Sequence, residues 1–136
     1  MQEIWKNLYD CAKKKIFSEE ISSYISYGNT VCTILSNNKI YSGVNINSHS
    51  KFKSSAEKNA IIEMLNNGEA KIEKMVIINE LEEIIKPCKE CIELITSLDL
   101  DYKDIEVLIS LNPLKVVTLE ELLPNWWGTF RLDNIV

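Results

Sequence analysis

The spacing of the apolar residues, which changes several times along the chain between helical and strand-like patterns, constrains the fold more than any other feature of the sequence. Residues 2–16 place apolar side chains at three-to-four spacing, as an amphipathic helix does. Residues 29–46 instead read as two strands joined at Asn37 and Asn38, residue types that tolerate the left-handed geometry of tight hairpins. Helical and extended segments then alternate, which gives the order α-β-β-α-β-α-β-(β)-α. We therefore predict an α/β fold with three layers, α/β/α, around a mixed, mostly five-stranded sheet.

The later segments carry boundary residues that place the two central helices. One helix begins after Ser54 and ends at Gly68, and Pro87 suits the first position of the next because proline needs no amide proton there. The other predicted elements are a buried strand over 74–79, a strand over 104–111, a turn at Asn112–Pro113, a short strand over 115–117 and a helical turn over 118–123. Both helices follow strands, and open α/β sheets place ligand sites at the carboxyl ends of their strands. The two helix starts are therefore where we expect a site.

Composition and charge narrow the functional classes. A chain of 136 residues with 46% hydrophobic content suffices for one ordinary core, so we predict a single domain over residues 1–136. The net charge of −5 argues against a surface that coats nucleic acid. No apolar run reaches the roughly 18 residues that a membrane-spanning helix needs. The first residues lack the apolar stretch and cleavage site of a signal peptide, so a cytoplasmic location is expected.

Cys88 and Cys91 stand at the start of the third predicted helix, where both sulfurs fall on one side of the first turn. The partial positive charge at a helix start favours thiolate over thiol, which suits metal ligation. The spacing leaves three interpretations open: a metal pair, a redox dithiol or two buried thiols. Cys11 and Cys32 lie in apolar segments and are predicted to be buried. With the lone His49 they form no second close pair, so a metal here favours a catalytic site, which needs one more protein ligand, over a closed structural one.

The segment from Ser54 to Glu57 offers a second polar helix start. Ser54, with Glu57 three residues later, matches a capping box, in which the carboxylate bonds back to the Ser54 amide. Taken alone, the segment indicates helix capping. Its combination with the later cysteine pair gives Glu57 a second interpretation, as a reactive carboxylate.

Together, the S-A-E motif at 55–57 and the later P-C-x-x-C resemble the two-part signature of the cytidine deaminase superfamily. In that family a His or Cys two residues before a Glu joins the cysteine pair on zinc. Three more segments agree in order, namely YSGVNINS (41–48), AEKNAI (56–61) and ELLPNWWG (121–128). They are similar to the family's glycine-x-asparagine strand end, its A-E-R-x-A-I helix start and its closing L-L-P-x-x-F-G segment. The GVN element leans toward the blasticidin S deaminase branch.

The resemblance implies a cofactor and a reaction. It implies one Zn²⁺ per chain, held by Cys88, Cys91 and the position of Ser55, with Glu57 moving protons between water and substrate. The family converts the amine of a cytosine-type ring to a uracil-type carbonyl and releases ammonia, with no other cofactor. We therefore expect a zinc-dependent hydrolytic deaminase of a cytidine-like nucleoside or nucleoside analogue.

The resemblance also implies substrate contacts and an assembly. Asn45 stands at the asparagine that holds the nucleoside ribose, Asn47 stands where the family usually has Glu, and Ala56 lies in the S-A-E motif. These three are expected to bind substrate. Trp127 stands at a family phenylalanine and is expected to stack near a base, in the same or a neighbouring subunit. The expected partners are a small nucleoside-like substrate and further copies of the chain, as a homotetramer or homodimer, with no nucleic acid and no membrane.

Ser55 departs from the family pattern at the position that matters most. A serine hydroxyl is a neutral, hard and weak zinc ligand compared with a thiolate or an imidazole. Three explanations stay open: an introduced Cys-to-Ser change, a natural loss, or completion of the site by a second water or His49. Ile92 and Glu93 also replace the Arg-Gln that usually follows the second cysteine. The alternative prediction is therefore a catalytically impaired or non-catalytic protein of this fold that binds a ligand or partner.

Overall fold

The structure, a computed structural model, describes residues 2–16, 19–20, 25–48, 53–98 and 101–123. Its helices are α1 (Gln2–Lys15), α2 (Ala56–Asn66) and α3 (Lys89–Leu98). Its strands are β1 (Glu19–Glu20), β2 (Ile25–Ser36), β3 (Lys39–Ser48), β4 (Lys53–Ser54), β5 (Lys74–Asn79), β6 (Glu106–Leu111) and β7 (Leu114–Thr118), and 3-10 turns cover Tyr102–Asp104 and Leu119–Leu122. This order confirms the predicted alternation of helices and strands. None of the described helices is both long and apolar enough to cross a membrane.

In the described part of the chain the strands form one sheet, in the order β4-β3-β2-β5-β6-β7, with β1 paired to β2. The β5–β6 pair is parallel, and the other pairs are antiparallel. Five strands have at least five residues, as the mostly five-stranded prediction expects. The two additional strands, β1 and β4, have two residues each, too few for a period of two to appear in the sequence.

Side chains that alternate in direction along β2 contact different helices, so the helices lie on opposite faces of the sheet. Val31 and Leu35 pack with α1 in one core cluster, whereas Cys32 and Ile34 pack with α2 and α3 in the other. The α1 side is formed by Trp5, Leu8, Ala12, Val31, Leu35, Val76, Ile78 and Leu108. The opposite cluster includes Cys32, Ile34, Ala56, Ala60, Ile61, Met64, Ile77 and Ile95. The predicted three-layer α/β/α arrangement is thereby confirmed, with α2 and α3 on the same face.

Two local features hold the β2–β3 hairpin and α2 in place. Asn37 and Asn38 form the predicted hairpin turn and have φ angles of 50° and 65°. On β3, Gly43 lies against the first turns of α2 so closely that a Cβ atom there would stand 2.2 Å from the Ala60 nitrogen and 2.7 Å from the Ala56 oxygen. Only glycine permits this approach, which brings the start of α2 onto the end of β3.

Both predicted starts of the central helices are shifted in the structure. Ser54 belongs to β4, and Ser55 is the N-cap of α2, so the prediction of a Ser54–Glu57 capping box is wrong. Pro87 is not the first residue of α3, because the helix begins at Lys89 and the Cys88 carbonyl accepts the bond from the Ile92 amide at 3.0 Å. Contacts with other elements help to determine where these helices begin, and the local sequence pattern does not reveal those contacts.

Two further boundary and burial predictions can be compared directly. The first helix ends at Lys15, one residue earlier than predicted. Cys32 is fully buried, as predicted, but Cys11 is only half-buried, so its prediction as a core residue is wrong. Cys11 lies on the flank of α1, beside the buried stripe rather than within it.

Candidate metal and active site

The starts of α2 and α3 meet at the carboxyl end of β3, as the chain order predicts. Ser55 has extended backbone angles, φ −75° and ψ 155°, and its Oγ accepts a hydrogen bond from the Lys58 amide at 3.1 Å. The first turn of α2 then carries Glu57, and the residue before α3 is Cys88. Two helix N-termini thus direct their partial positive charge toward one region.

The two cysteines of the C-x-x-C motif lie side by side. Cys88 Sγ is 2.8 Å from Cys91 Sγ, and Ser55 Oγ is 3.2 Å from Cys91 Sγ. Cys91 is buried, with 4% of its surface exposed, whereas Cys88 is exposed. All four cysteines of the chain are free thiols. The structure therefore brings Ser55, 36 residues away in sequence, into direct contact with the pair.

Glu57 connects the two helix starts. Its carboxylate Oε2 accepts a hydrogen bond from the Cys88 amide at 3.1 Å, and only 5% of its surface is exposed. A buried carboxylate needs such a donor, because an unpaired charge in an apolar environment is costly. The bond that the capping box would have made to Ser54 is replaced by this bond across the site. Glu57 is therefore oriented toward the cysteine pair.

Burial and neighbouring negative charge act on the thiols of this region. Burial raises the pKa of the Cys91 thiol, and the hydrogen bond with Cys88 raises it further, while the contact with Ser55 opposes these effects. Cys32, on the β2 face beneath α2, has its pKa raised by burial and then by the charges of Glu57 and Cys91. Both thiols are thus protonated at neutral pH in the absence of a cation. A bound cation reverses this preference at Cys91 by favouring thiolate.

The chemistry of the donor atoms fits zinc. The ligand atoms of Glu57, Cys88 and Cys91 lie within 4.8 Å of one another. Zinc accepts thiolate sulfur and carboxylate oxygen, and a catalytic site requires only three protein ligands. Ser55 contributes a hydroxyl in contact with Cys91, although that oxygen already accepts the bond that caps α2. Two strong sulfur donors are therefore present, together with two oxygen groups, the Glu57 carboxylate and the Ser55 hydroxyl.

A cavity of about 360 Å³ opens beside these groups. Its lining comprises Asn45, Asn47, Lys53, Ser54, Ser55, Lys58, Cys88, Glu90, Cys91 and Leu94. The predicted residues Asn45 and Asn47 come from the end of β3, whereas Cys88 and Cys91 come from the start of α3. The cavity thus joins the two halves of the sequence motif in one volume.

The predicted substrate residues occupy different positions around this cavity. Asn45 is largely buried, and its Oδ1 accepts from the Thr30 amide at 2.8 Å, where the β2–β3 register is interrupted. The side chain of Ala56 is 1% exposed and packs in the core, so only its backbone is placed to meet a ligand. Trp127, which was predicted to stack near a base, and His49, one of the alternatives left open for completing the site, lie outside the described residues.

Sequence reasoning missed several residues of the cavity. Lys53 and Lys58 flank the S-S-A-E segment and line the cavity together with Glu90 and Leu94. The concentration of lysine on both sides of the motif was the available signal. Cys32 was predicted only as core, and its position near Glu57 and Cys91 depends on the register of β2 against α2.

Comparisons with known proteins agree with this geometry. The family described as the cytidine and deoxycytidylate deaminase zinc-binding region matches residues 10–105, which include both helix starts. No curated protein matches the chain in sequence.

Solved structures of bacterial cytidine deaminases resemble the chain in fold. The enzyme from Mycobacterium leprae is 18% identical, with a TM-score of 0.71 over 89% of this chain and 98% of that one. The enzyme from Burkholderia pseudomallei is 19% identical, with a TM-score of 0.65 over 92% and 98%. The enzyme from Bacillus anthracis is 17% identical, with a TM-score of 0.64 over 98% and 93%. Similarity at this level of identity establishes the cytidine deaminase fold.

Proposed function

The chain belongs to the cytidine and deoxycytidylate deaminase zinc-binding family, and we propose that it is a zinc-dependent hydrolytic deaminase of a cytidine-like nucleoside or nucleoside analogue. In this reaction one water replaces the exocyclic amine at C4 of the ring by a carbonyl oxygen, and ammonia leaves. The observation that carries the proposal is the convergence of Glu57 on Cys88 and Cys91. The Glu57 carboxylate accepts a hydrogen bond from the Cys88 amide at 3.1 Å, and one of its oxygens lies within 4.8 Å of both sulfurs.

The residues of this chain would hold the cofactor and move the protons. Cys88 and Cys91, with Ser55 in contact with Cys91, would hold one zinc ion, which when bound supplies Lewis acidity that makes water a stronger acid. Glu57 accepts one proton from the attacking water and delivers it to the ring nitrogen N3. It then takes the second proton from the hydroxyl that is now bonded to C4 and passes it to the departing amine, so that the carbonyl forms and ammonia leaves. The hydrogen bond from the Cys88 amide keeps the carboxylate in place for each transfer.

The end of β3 provides groups for the remainder of the substrate. Asn45 Oδ1 is engaged by the Thr30 amide, so its Nδ2 group is the donor left for a sugar hydroxyl. Asn47 lines the same cavity two residues further along the strand and presents a neutral amide. The backbone of Ala56, at the first position of α2, carries an amide that has no partner within the helix and suits the ring carbonyl. Trp127 is proposed to stack near the base.

Two measurements test the proposal. Protein purified without chelator is analysed for metal, and we expect close to one zinc per chain. Release of ammonia from cytidine, deoxycytidine and blasticidin S is then assayed, and at least one of them is expected to turn over. Glu57→Gln removes the proton acceptor and keeps the size of the side chain, so kcat should fall by at least about 10³-fold.

Glu63→Gln is the matched control, because Glu63 is an exposed carboxylate on the same helix and lies away from the cavity. This variant should retain the activity of the unmodified protein. Zinc below about 0.1 per chain with both cysteines reduced, or equal activity in the two variants, would contradict the proposal.

A ligand-binding protein without turnover is the second candidate. It is favoured by the hydrogen bond from the Lys58 amide to Ser55 Oγ, which engages the oxygen that stands at the proposed third ligand position. In that case cytidine-type compounds bind in calorimetry, and the protein releases no ammonia from any of them. The same assay therefore separates the two candidates.

We further propose that the chain forms a homodimer or homotetramer. Support comes from Ile62 and Leu65, which expose 42% and 43% of their surface side by side on the outer face of α2. Light scattering coupled to gel filtration measures the mass directly, and a mass near the 15.6 kDa of one chain would contradict this assembly.

A further inference from the structure

The two cysteines at the start of α3 are close enough to react with each other. Cys88 Sγ lies 2.8 Å from Cys91 Sγ, whereas a disulfide bond is about 2.05 Å long, so a shift of less than about 1 Å would allow the bond to form. Both thiols are free. The pair is therefore positioned for an intramolecular disulfide as well as for a metal.

The backbone at the pair is held in a conformation that brings the two side chains together. The Cys88 carbonyl accepts the hydrogen bond from the Ile92 amide at 3.0 Å, so Cys88 is the N-cap residue of α3 and Cys91 is the third residue of the helix. Side chains at these two positions meet, as they do in a capping box. The Cys88 amide is also bound to Glu57 at 3.1 Å. The sulfurs can thus approach by rotation of the side chains while the backbone stays in place.

The two sulfurs differ in their access to solvent. Cys88 is exposed and lines the cavity of about 360 Å³, while only 4% of the Cys91 surface is exposed. A small oxidant that enters the cavity therefore meets Cys88 first. This arrangement suits a dithiol in which the exposed sulfur reacts with the oxidant and the buried sulfur then forms the disulfide.

Ser55 leaves the pair without a third sulfur. Its Oγ contacts Cys91 Sγ at 3.2 Å and already accepts the hydrogen bond from the Lys58 amide. Within the described residues, the cluster of Glu57, Cys88 and Cys91 contains two sulfurs. Serine forms no disulfide and is a weaker zinc ligand than cysteine. A bound zinc ion therefore protects the two thiols less than it would with three sulfur ligands.

We propose that Cys88 and Cys91 are a redox modification site, at which a reversible disulfide excludes zinc. The disulfide follows from the geometry of the pair, whereas the effect on zinc rests on the proposed function. A sulfur in a disulfide carries no thiolate charge, and thiolate is the form that binds zinc. The site therefore exists either as a dithiol that takes zinc or as a disulfide that does not.

With hydrogen peroxide as the oxidant, the disulfide forms in two steps. The Cys88 sulfur attacks one peroxide oxygen, the O–O bond breaks, and a sulfenic acid on Cys88 and one water are formed. The Cys91 sulfur then attacks the Cys88 sulfur, so that an S–S bond replaces the S–O bond. The hydroxyl leaves as a second water with the proton of the Cys91 thiol. Two electrons pass from the thiols to the peroxide, and a dithiol reductant reverses the oxidation by thiol–disulfide exchange.

The first test uses the metal-free full chain and requires no enzymatic activity. The protein is treated with a small excess of hydrogen peroxide, the remaining thiols are blocked, and the chain is digested with trypsin. Cleavage after Lys89 separates Cys88 from Cys91, so the disulfide joins two peptides that separate on reduction. We expect these linked peptides, together with the loss of two of the four free thiols and of two hydrogen atoms from the intact mass.

Cysteine variants identify the sulfurs that react. Cys11→Ser is the matched control, because Cys11 lies on α1, which packs on the opposite face of the sheet. This variant should give the same linked peptides as the unmodified protein. Cys91→Ser should give none, and its oxidation should remain on Cys88 as a sulfenic or higher acid. Circular dichroism verifies that each variant keeps the fold. A disulfide to Cys11 or Cys32, or two thiols that stay reduced, would overturn the proposal.

A second measurement tests the effect of the disulfide on zinc. Zinc-loaded protein is treated with peroxide, and a chromophoric chelator records the metal that is released. One zinc should leave for each disulfide formed, and zinc affinity of the oxidised protein should be lower by about 100-fold or more, because both thiolate ligands are lost. Dithiothreitol should restore zinc binding and both thiols together. A disulfide that forms while zinc stays bound would overturn the exclusion of zinc.

The two measurements distinguish this inference from the proposed function. Disulfide formation in a protein that takes up no zinc even when reduced supports the modification site, and it contradicts the deaminase function together with the effect on zinc. Zinc binding and deamination with no disulfide after peroxide treatment support the deaminase function and overturn the modification site.

Discussion

The hydroxyl oxygen of Ser55 makes two contacts. The oxygen accepts the hydrogen bond from the Lys58 amide that caps α2, and it lies 3.2 Å from Cys91 Sγ, at the position proposed for the third zinc ligand. A cap contributes about 1 kcal/mol to stability, whereas a thiolate at this position would contribute to metal affinity. Helix stability and metal affinity therefore compete for the same side chain.

Replacement of Ser55 separates these two roles. Ser55→Cys should raise zinc affinity by at least about tenfold, because a third thiolate joins the pair. Ser55→Ala is the matched variant, and it should not raise zinc affinity. Both should lose about 1 kcal/mol of stability in chelator, since neither retains the hydroxyl cap. Competition with a chromophoric chelator and urea unfolding measure the two effects, and an equal zinc affinity of the two variants would contradict the assignment.

The raised pKa of Cys91 makes metal binding dependent on pH. Because burial holds this thiol protonated, zinc must displace its proton, and the apparent zinc affinity should increase as pH rises from 6 to 8. One displaced proton corresponds to about tenfold per pH unit. Competition titrations at several pH values measure this slope. Cys91→Ala should weaken binding and flatten the slope, and a slope of zero in the unmodified protein would argue against a thiol ligand that starts out protonated.

Between elements, the contact of β3 with α2 decides where the site forms. Gly43 permits the approach, and the Asn59 side chain on α2 donates to the Val44 carbonyl at 2.7 Å, which fixes the helix along the strand. This contact places the Ser55–Glu57 turn beside Asn45. The glycine is visible in the sequence, but the helix that packs on it is not.

Gly43→Ala should destabilise the protein by about 3 kcal/mol or more, because the new methyl group would meet backbone atoms that cannot rotate away. Gly68→Ala is the informative comparison. Gly68 has a φ of 86° but no neighbouring atom within 4 Å, so its cost should be about 1 kcal/mol, from backbone strain alone. Urea unfolding measures both, and a Gly43 variant no less stable than the Gly68 variant would refute the packing argument.

At the element level, the sequence predicted which segments are helices and strands better than it predicted their ends. The hairpin at Asn37 and Asn38 was predictable because its turn geometry depends on two adjacent residues. The start of α2 was misplaced by one residue, since Ser54 and Ser55 are chemically equal as caps and only the pairing of Ser54 in β4 distinguishes them. The bond from the Cys88 amide to Glu57 spans 31 residues and leaves no local trace.

For the whole molecule, the three-layer packing determines the chemical environment of the site. Helices α2 and α3 share one face of the sheet, and Cys32 from the central strand β2 lies in the core beneath them. Its thiol is fully buried close to Glu57 and Cys91, so ionisation of this thiol would destabilise the folded state. Stability at high pH therefore reports on this part of the core.

The metal-free protein should lose stability as pH rises above about 9. Burial raises the native pKa of Cys32 above its ordinary value of 9.0. Above this pH the native thiol stays protonated, whereas the thiol of the unfolded chain ionises, which stabilises the unfolded state relative to the native one. One such group accounts for up to about 1.4 kcal/mol per pH unit. Urea unfolding at pH 8 and pH 10 in chelator should therefore give a smaller loss for Cys32→Ala than for the unmodified protein. Cys11→Ala, at a half-buried position, is the control, and equal losses in the two variants would contradict the prediction.

The sequence by itself determined the element order, the mixed three-layer fold and the two helix starts at which the candidate site lies. These depend on periodicity and on short motifs, which are local properties of a chain. Tertiary structure alone decided that Ser55 caps α2 while touching Cys91, that Glu57 bonds the Cys88 amide, and that Lys53 pairs with Asn47 beside the cavity. These contacts join residues that are distant in the chain, or whose facing depends on strand register, and so they arise only when the sheet brings two helix starts together.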